Sequence, residues 1–287
     1  MSIASFPTTA EKPADGAART AEVAAQRAGV EIRPLADLGD IRAACELLDD
    51  VWGDGGPVSA NLLVGAMSAG SYLTGAYAGG DLVGMCLALW GPPPASVLYS
   101  HIAGVSATMR GRDVGSAIKL HQRAAALARG VDTITWTYDP LVARNAHFNI
   151  RKLGARPVVY HVDHYGPMRD AINGDDETDR LLVRWQLDSE ETRAALARHA
   201  AGLEGAPAVV LACGSDGYPQ RRGEAGSLLQ VSVPADIEQL RRTDPAAARA
   251  WRIAVRDTLG DLLSRDATVV DFDRASSAYL LRKDISA

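Results

Sequence analysis

The sequence predicts an α/β fold in which strands and helices alternate. Three observations lead there. Tyr72–Ala78, Leu82–Leu89 and Thr133–Tyr138 have strand patterns, and Gly79-Gly80-Asp81 joins the first two as a hairpin. Residues 37–53 and 113–129 repeat apolar side chains at helical spacing. A strand ending at Val105 runs into the basic, glycine-bearing turn Arg110-Gly111-Arg112 just ahead of a helix.

Taken in order, residues 1–28 are rich in Ala, Thr, Pro and charge and are expected to form a mobile tail. Val30–Leu35 reads as a short strand. In the helix that follows, Ile41, Ala44, Cys45, Leu48, Val51 and Trp52 share one face, and Gly53 to Pro57 ends it. Asn61–Ala69 is a second, short helix ahead of the hairpin. Gly91-Pro92-Pro93-Pro94 is a loop, because consecutive prolines fit neither a ladder nor a helix. Val97–Val105 is a strand. The next helix carries Val114, Ala117, Ile118, His121, Ala124, Ala125 and Ala128 on one face, and Gly130 stops it. Thr133–Tyr138 alternates as a strand should, and Asp139-Pro140 breaks it. A short helix is expected over Arg144–Leu153 and a strand over Pro157–Tyr165.

In the second half, Asp170–Thr178 is a polar loop, and Leu181–Leu187, Ala208–Ala212 and Leu228–Val233 read as strands. Pro245–Leu263 is a helix with Trp251, Val255, Leu259 and Leu262 on one face, and Val269–Phe272 and Ala278–Leu281 close the chain as strands. The order LLQVSVP, helix, TVVDF echoes HIAGVSA, helix, TITWTY. Either a decayed internal duplication or the chance likeness of ordinary α/β units accounts for it.

Composition narrows the function classes. At 287 residues, 47% hydrophobic and 23% charged, the chain is long enough for a substantial core. Its net charge of −5 argues against broad binding to nucleic acid or an anionic membrane, though not against one local basic pocket. Cys45, Cys86 and Cys213 are far apart and fit neither a zinc site nor a disulfide framework. Leu82–Trp90 is too short to span a bilayer, and the N-terminus shows no apolar signal core, so a cytoplasmic location is expected.

The segment MRGRDVGSAIKL carries the strongest chemical signal. The first turn of a helix has unpaired N–H groups and a partial positive charge. Glycine lets a backbone approach a phosphate without a Cβ in the way, and Arg110 and Arg112 add charge-assisted donors. No lysine follows Gly115, so this is no Walker loop, and GxGxxG is absent.

The surviving pattern, Arg110-x-x-Asp113-x-Gly115, resembles the pyrophosphate loop of the GNAT family of acyl-CoA N-acyltransferases, Gln/Arg-x-x-Gly-x-Gly/Ala. Asp113 stands where that family usually has glycine; its carboxylate must point away from phosphate, as in a cap of the helix's first turn. The element order over 30–165 is also similar to GNAT, and NAHFNIRKLGA resembles the family's helix ending in Lys-x-Gly-Phe/Ala. With WTYDPLVARNAHFNIRKLGA and YGPMRDAINGDDETDRLLVRW, the chain looks like a less-studied GNAT branch with a C-terminal extension.

The resemblance implies a mixed, mostly antiparallel central sheet flanked by helices over 29–168, and a C-terminal α/β extension over 169–287 that is itself open to reading as a degenerate repeat. It implies direct attack of an amine on the thioester of acetyl-CoA or another acyl-CoA, with no metal. Cofactor contacts fall on Ala103, Gly104, Val105, Arg110, Gly111, Arg112, Asp113, Val114, Gly115, Ser116, Asn145 and Asn149. The strand offers His101 as general base, facing the same side as Val105 unless a bulge intervenes; a structural histidine is the plainer alternative.

The family's thiol-protonating tyrosine corresponds to Ile150, leaving Asn149, Tyr138, Tyr160 and Tyr165 as substitutes. Asp139, His161, His164 and Arg180 border the expected acceptor site. Arg180 suits a carboxylate on the acceptor or on a succinyl donor, with a surface ion pair as its alternative. His161 and His164, three apart on a strand, should face opposite sides, which argues against metal. The acceptor is expected to be a small-molecule amine such as an amino acid, with protein N-acetylation less favoured. Nucleic-acid and membrane partners are not expected, and a homodimer is left open. A non-catalytic acyl-CoA-binding sensor is the rival reading.

Overall fold

The computed structural model describes residues 12–53, 56–93, 96–168, 176–198 and 205–283. Its first helix, α1 (Pro13–Ala28), stands where the later part of the tail was expected; residues 1–11 of that tail lie outside the described residues. Pro13 sits in the first turn, where a missing N–H costs nothing. Gly29, at φ 67°, closes the helix with its amide on the Gln26 carbonyl while Val30 N–H reaches Ala25. Ala17, Ala21 and Ala28 are buried, and the helix lies along the helix of residues 114–128. A run poor in large apolar residues looks disordered in sequence, but small side chains allow two helices to pack closely.

The chain continues with β1 (Glu31–Pro34), α2 (Leu38–Trp52), α3 (Ala60–Ser68), β2 (Tyr72–Ala78), β3 (Asp81–Trp90) and β4 (Val97–Val105). Strands β1 to β4 pair antiparallel in chain order. The β2–β3 turn places Gly79 and Gly80 at φ 60° and 100°, the positive angles a tight hairpin needs. Asp40 ties α2 to the sheet, accepting from Arg33 at 3.1 Å and from the Tyr77 hydroxyl at 2.8 Å; those contacts hold its carboxyl at about 2. Helix α4 (Val114–Ala128) buries Val114, Ala117, Ile118 and Ala126. With these elements, residues up to Val51 and Pro57–Asp132 form one compact unit.

The second unit takes Trp52–Gly56 and everything from Thr133. It contains β5 (Thr133–Tyr138), α5 (Ala143–Ala146) leading into a π-turn at His147–Lys152, β6 (Arg156–His161), β7 (Arg180–Gln186) and α6 (Glu190–Leu196). β7 lies between β5 and β6, antiparallel to both. A domain boundary at 168/169 would therefore cut a sheet in two; β7, assigned from sequence to the extension, is the middle strand of this group. β6 also ends at His161, four residues earlier than its apolar pattern suggests, because 162–165 form a turn.

A second sheet follows, built from β8 (Ala208–Cys213), β9 (Pro219–Arg221), β10 (Leu228–Ser232), then α7 (Ile237–Thr243), α8 (Pro245–Val255), a π-turn at Arg256–Gly260, α9 (Asp261–Ser264), β11 (Thr268–Asp273) and β12 (Ala278–Arg282). The strand order is β11-β12-β10-β8-β9, with only β10 and β8 parallel. β10 and β11, the strands set against HIAGVSA and TITWTY, are separated by β12. The expected polar loop at 170–178 falls largely outside the described residues.

A buried charge cluster binds the parts of this second unit together. Arg252, 1% exposed, donates to both oxygens of Asp139 at 2.9 Å and to Asp176 at 2.8 Å. Arg241 bridges the same carboxylates at 2.6 and 2.8 Å. Beside it, Arg256 pairs with Asp179 at 2.7 Å, and the Tyr160 hydroxyl donates to Asp179 at 2.7 Å.

Candidate functional site

Strand β4 carries the first feature. Its pairing with β3 sets Ile102 opposite Leu87, then Ser100 opposite Ala88, so His101 has no partner across the ladder. One extra residue of this kind is a β-bulge, which bends a strand and leaves backbone groups unpaired. Leu98, Ser100, Ile102 and Gly104 are buried, while His101 and Ala103 are exposed and Val105 is intermediate. The shared exposed side expected of His101 and Val105 thus survives the bulge. Although the residue is exposed overall, partial desolvation of its ring lowers the His101 pKa below the ordinary imidazole value, so the ring is neutral at pH 7.

Behind β4 lies a polar cluster that the sequence reading missed. Lys119 Nζ donates to Ser100 Oγ at 2.8 Å and to Gln122 Oε1 at 3.2 Å; Gln122 Nε2 donates to Ser100 at 3.1 Å and to Cys86 Sγ at 3.3 Å. All four residues are buried, and desolvation brings the Lys119 ammonium down to about 8. The cluster braces the strand at the residue next to His101. Its only sequence signal was a pair of polar residues three apart on the flank of the apolar stripe of α4.

The loop after β4 is wound tightly. Ser106 caps a 3-10 turn at Ala107–Met109, and the amides of Met109, Arg110 and Arg112 turn back onto Ser106, Ala107 and Met109. Gly111 has φ 79° and Asp113 φ 57°. Position 113 thus demands a left-handed backbone, the physical reason glycine suits it; aspartate tolerates that region better than most residues. The Asp113 side chain makes no cap bond to the helix, contrary to the capping role expected for it. The first helical bond is Ala117 N–H to Asp113, so the amides of Val114, Gly115 and Ser116 precede the bonded ladder. A Cβ built on Gly111 or Gly115 meets nothing within 4 Å, so the approach to these amides is open. Arg110, Gly111, Arg112 and Asp113 are exposed around it. A diphosphate fits this set of donors.

In the second unit, Asn145 is half-buried in α5 and Asn149 is buried in the π-turn. The π-turn that carries Asn149 is of a kind that recurs at functional sites. Ile150, in the place of the family's tyrosine, is buried. Of the substitute tyrosines, Tyr138 is buried against Tyr279 at 3.2 Å and Tyr160 is held by Asp179; burial raises the pKa of both. Tyr165 remains exposed at 42%, its hydroxyl 2.9 Å from Thr137 Oγ1.

The turn after β6 gathers His161, His164, Tyr165 and Arg180. The two imidazoles stack at 4.6 Å, His164 meets Tyr165 edge-on at 4.5 Å, and Arg180 lies 5.4 Å from the Tyr165 ring centre. The strand parity that put the histidines on opposite sides fails because β6 ends at His161. Burial, His161 and Arg180 together lower the His164 pKa. Arg180 is buried, and its guanidinium also donates to the Asp179 carbonyl at 2.9 Å. Asp139, grouped with these residues from sequence, instead has both oxygens occupied by Arg252 and Arg241. No group of three or more metal-ligating side chains occurs among the described residues.

No protein-family model matches this chain, and no curated protein does. Solved structures do. An N-acetyltransferase from Staphylococcus aureus is 16% identical, with 55% of this chain and 99% of that one covered at a TM-score of 0.46. A GNAT superfamily phosphinothricin acetyltransferase from Sinorhizobium meliloti, in complex with AcCoA, is 16% identical over 54% of this chain and 87% of its own, TM-score 0.45. PaiA N-acetyltransferase from Thermoplasma acidophilum, in complex with coenzyme A, is 11% identical over 55% and 98%, TM-score 0.41. Those proteins are N-acetyltransferases. Each match leaves more than two fifths of this chain uncovered.

Proposed function

We propose that this protein is an acyl-CoA-dependent N-acyltransferase of GNAT type acting on a small amine, with acetyl as the donor group by default. The observation that carries the reading is the sequence of features after Ser100: a bulge at His101, then a loop opening onto the free first-turn amides of α4. Amides of 114–116 with Arg110 and Arg112 hold the diphosphate; Ala103, Gly104 and Val105 supply backbone groups to the pantetheine and thioester. Asn149, with Asn145 before it, offers a side-chain amide to the same cofactor class.

The chemistry is direct transfer. The amine nitrogen attacks the thioester carbonyl, the carbon–sulfur bond breaks, and CoA leaves as a thiolate. His101, neutral at pH 7, takes the proton from the amine, and the thiolate takes up a proton from solvent. His161, His164 and Arg180 form the proposed acceptor surface, and Arg180 suits a carboxylate there or on a succinyl donor. Asp139 has no part in this scheme, because its oxygens are already engaged.

The test is release of free thiol from acetyl-CoA and succinyl-CoA against a panel of amino acids and amines. Tight CoA binding with no release under any acceptor would instead favour a sensor, a reading that draws on buried Ile150 and on the engagement of Tyr138 and Tyr160.

Two further expectations follow from the geometry. Asp113→Gly relieves a left-handed backbone worth about 1 kcal/mol and removes a carboxylate from the anion loop. It should raise Tm and tighten acyl-CoA binding by about two- to fivefold, on the scale of one weak charge contact; looser binding by titration would contradict the loop assignment. For His101→Gln, kcat should fall about 100-fold, the usual scale for a lost general base. In the parent protein the base is lost as pH falls through its folded pKa, so the acidic limb of kcat should lie below about 6.5. An acidic limb unchanged in the variant would remove His101 from the mechanism.

A further inference from the structure

Strand β4 and helix α4, both in the first unit, share a polar network that the acyl-transfer reading leaves without a task. Its centre is the Ser100 hydroxyl, which has one hydrogen to give and two lone pairs to receive. Lys119 Nζ donates to it at 2.8 Å and Gln122 Nε2 at 3.1 Å, which takes both lone pairs. The hydroxyl's own hydrogen is left for Cys86 Sγ, 3.8 Å away. Gln122 closes the ring. Its carbonyl oxygen receives Lys119 at 3.2 Å, and its amide also reaches Cys86 Sγ at 3.3 Å.

Packing alone does not call for a lysine at this point. Lys119 is 6% exposed, the neighbouring Ala117, Ile118 and Leu120 are buried apolar residues, and burial weakens its hold on its proton. An apolar side chain of similar volume in such a place is often neutral or stabilising. The best-attested use of a costly buried polar group is to fix register.

Register is what changes here. Ile102 pairs with Leu87 and Ser100 with Ala88, so His101 is a residue of β4 that β3 does not match. Ala88 and Cys86 are two apart on β3 and share a face. Pairing with Ala88 therefore turns the Ser100 hydroxyl toward Cys86 and the donors of α4. Were β4 to run on without the extra residue, His101 would pair with Ala88, and Ser100 would turn to the other face, away from Lys119 and Gln122. The network and the bulge are compatible only with each other.

We infer that Lys119 is a positioning residue for His101, acting with Gln122 through Ser100 to hold the bulge that presents the imidazole. Its catalytic meaning rests on the acyl-transfer reading, in which His101 is the base; its structural content does not.

The experiment uses the full chain with Lys119→Met, which keeps the stem and removes the ammonium, and with Ser100→Ala, which deletes the shared acceptor and one atom only. Tm should not fall in Lys119→Met, because a buried ionic group gives way to an apolar one. Thiol release from acetyl-CoA should show kcat lower by about 10- to 100-fold in each variant, the scale of a misplaced reacting group. KM for acetyl-CoA should stay within about threefold, since the loop at 106–113 is outside the network. In a His101→Gln background, Lys119→Met should change kcat by less than about twofold, because it acts through the residue already lost. The His101 imidazole is followed separately by NMR titration, its signal assigned by its absence in His101→Gln. Desolvation alone sets its pKa, so displacement of the ring should change its protonated fraction near the midpoint by about threefold or more.

A His101 titration identical to the parent's in both folded variants overturns the inference. So does a Lys119→Met loss of kcat that is undiminished in the His101→Gln background, or a lower Tm with unchanged kcat, which would make the lysine a stabilising residue only. A parent protein that releases no thiol from any acceptor counts against the acyl-transfer reading instead, and the His101 titration still decides whether the network places the ring.

Discussion

Gly115→Asp should leave the protein folded and reduce acyl-CoA affinity by about 100-fold or more. The stability half of this expectation rests on space. A Cβ at 115 meets nothing within 4 Å, and the residue does not adopt a positive φ. A carboxylate in the first turn of α4 even complements the helix dipole, for about 0.3–1 kcal/mol of stabilisation. The binding half rests on what that space is for. The new side chain occupies the approach to the amides of 114–116 and sets a negative charge where the diphosphate must sit. Losing two charge-assisted hydrogen bonds, each worth about 1.5–3 kcal/mol, accounts for the factor. Thermal unfolding and calorimetry with CoA check the two halves separately. Unchanged CoA affinity in a folded variant would end the acyl-CoA reading, since no other part of that proposal would bind the diphosphate.

The second large effect is on stability. Arg252→Met should cost about 3–5 kcal/mol at pH 7, the usual penalty for removing one member of a buried charge cluster. The guanidinium is 1% exposed and serves Asp139 and Asp176 together; without it, Arg241 alone faces two carboxylates. By contrast Arg33→Met, at a pair whose arginine side chain is 40% exposed, should cost far less, because solvent screens the pair. The pH dependence has a definite sign. Burial pushes the Asp139 carboxyl up, but Arg252 and Arg241 outweigh it and hold the group far below the usual range. A carboxyl depressed in the folded state stabilises the protein above its unfolded pKa of about 3.9, and that contribution is lost as pH falls further. The gap between parent and Arg252→Met should therefore narrow from pH 7 to pH 3 in urea unfolding. A cost under about 1 kcal/mol at pH 7 would show that the cluster is not what holds these segments together.

Local pattern made much of the fold readable. The hairpin at Gly79-Gly80, the strand ending at Val105 and the apolar stripe of α4 are set by nearby residues, and they stand where their periodicity and turn chemistry put them. The glycine-bearing turn before α4 was legible for the same reason: glycines, arginines and a helix start lie within a few positions. Errors came where a distant partner decides. Pro13–Ala28 is helical because its alanines have a helix to pack on, which no window of sixteen residues reveals. β7 pairs between strands that precede it by tens of residues, which no local pattern reveals. His161 and His164 stack because β6 stops early, and Asp139 is paired because α7 and α8 bring arginines from a hundred positions away.

By itself, the sequence determined most of the strands and helices, where the hairpin turns, and that a basic, glycine-bearing turn stands ahead of α4. These depend on interactions within a few residues, where hydrophobic period and backbone preference dominate. The tertiary structure alone decided the bulge that singles out His101, the left-handed backbone that explains Asp113, which of the tyrosines are buried and which stay exposed, and which charges are spent on one another. Those outcomes depend on burial and on contacts across the chain, and desolvation makes them strong enough to override local expectation.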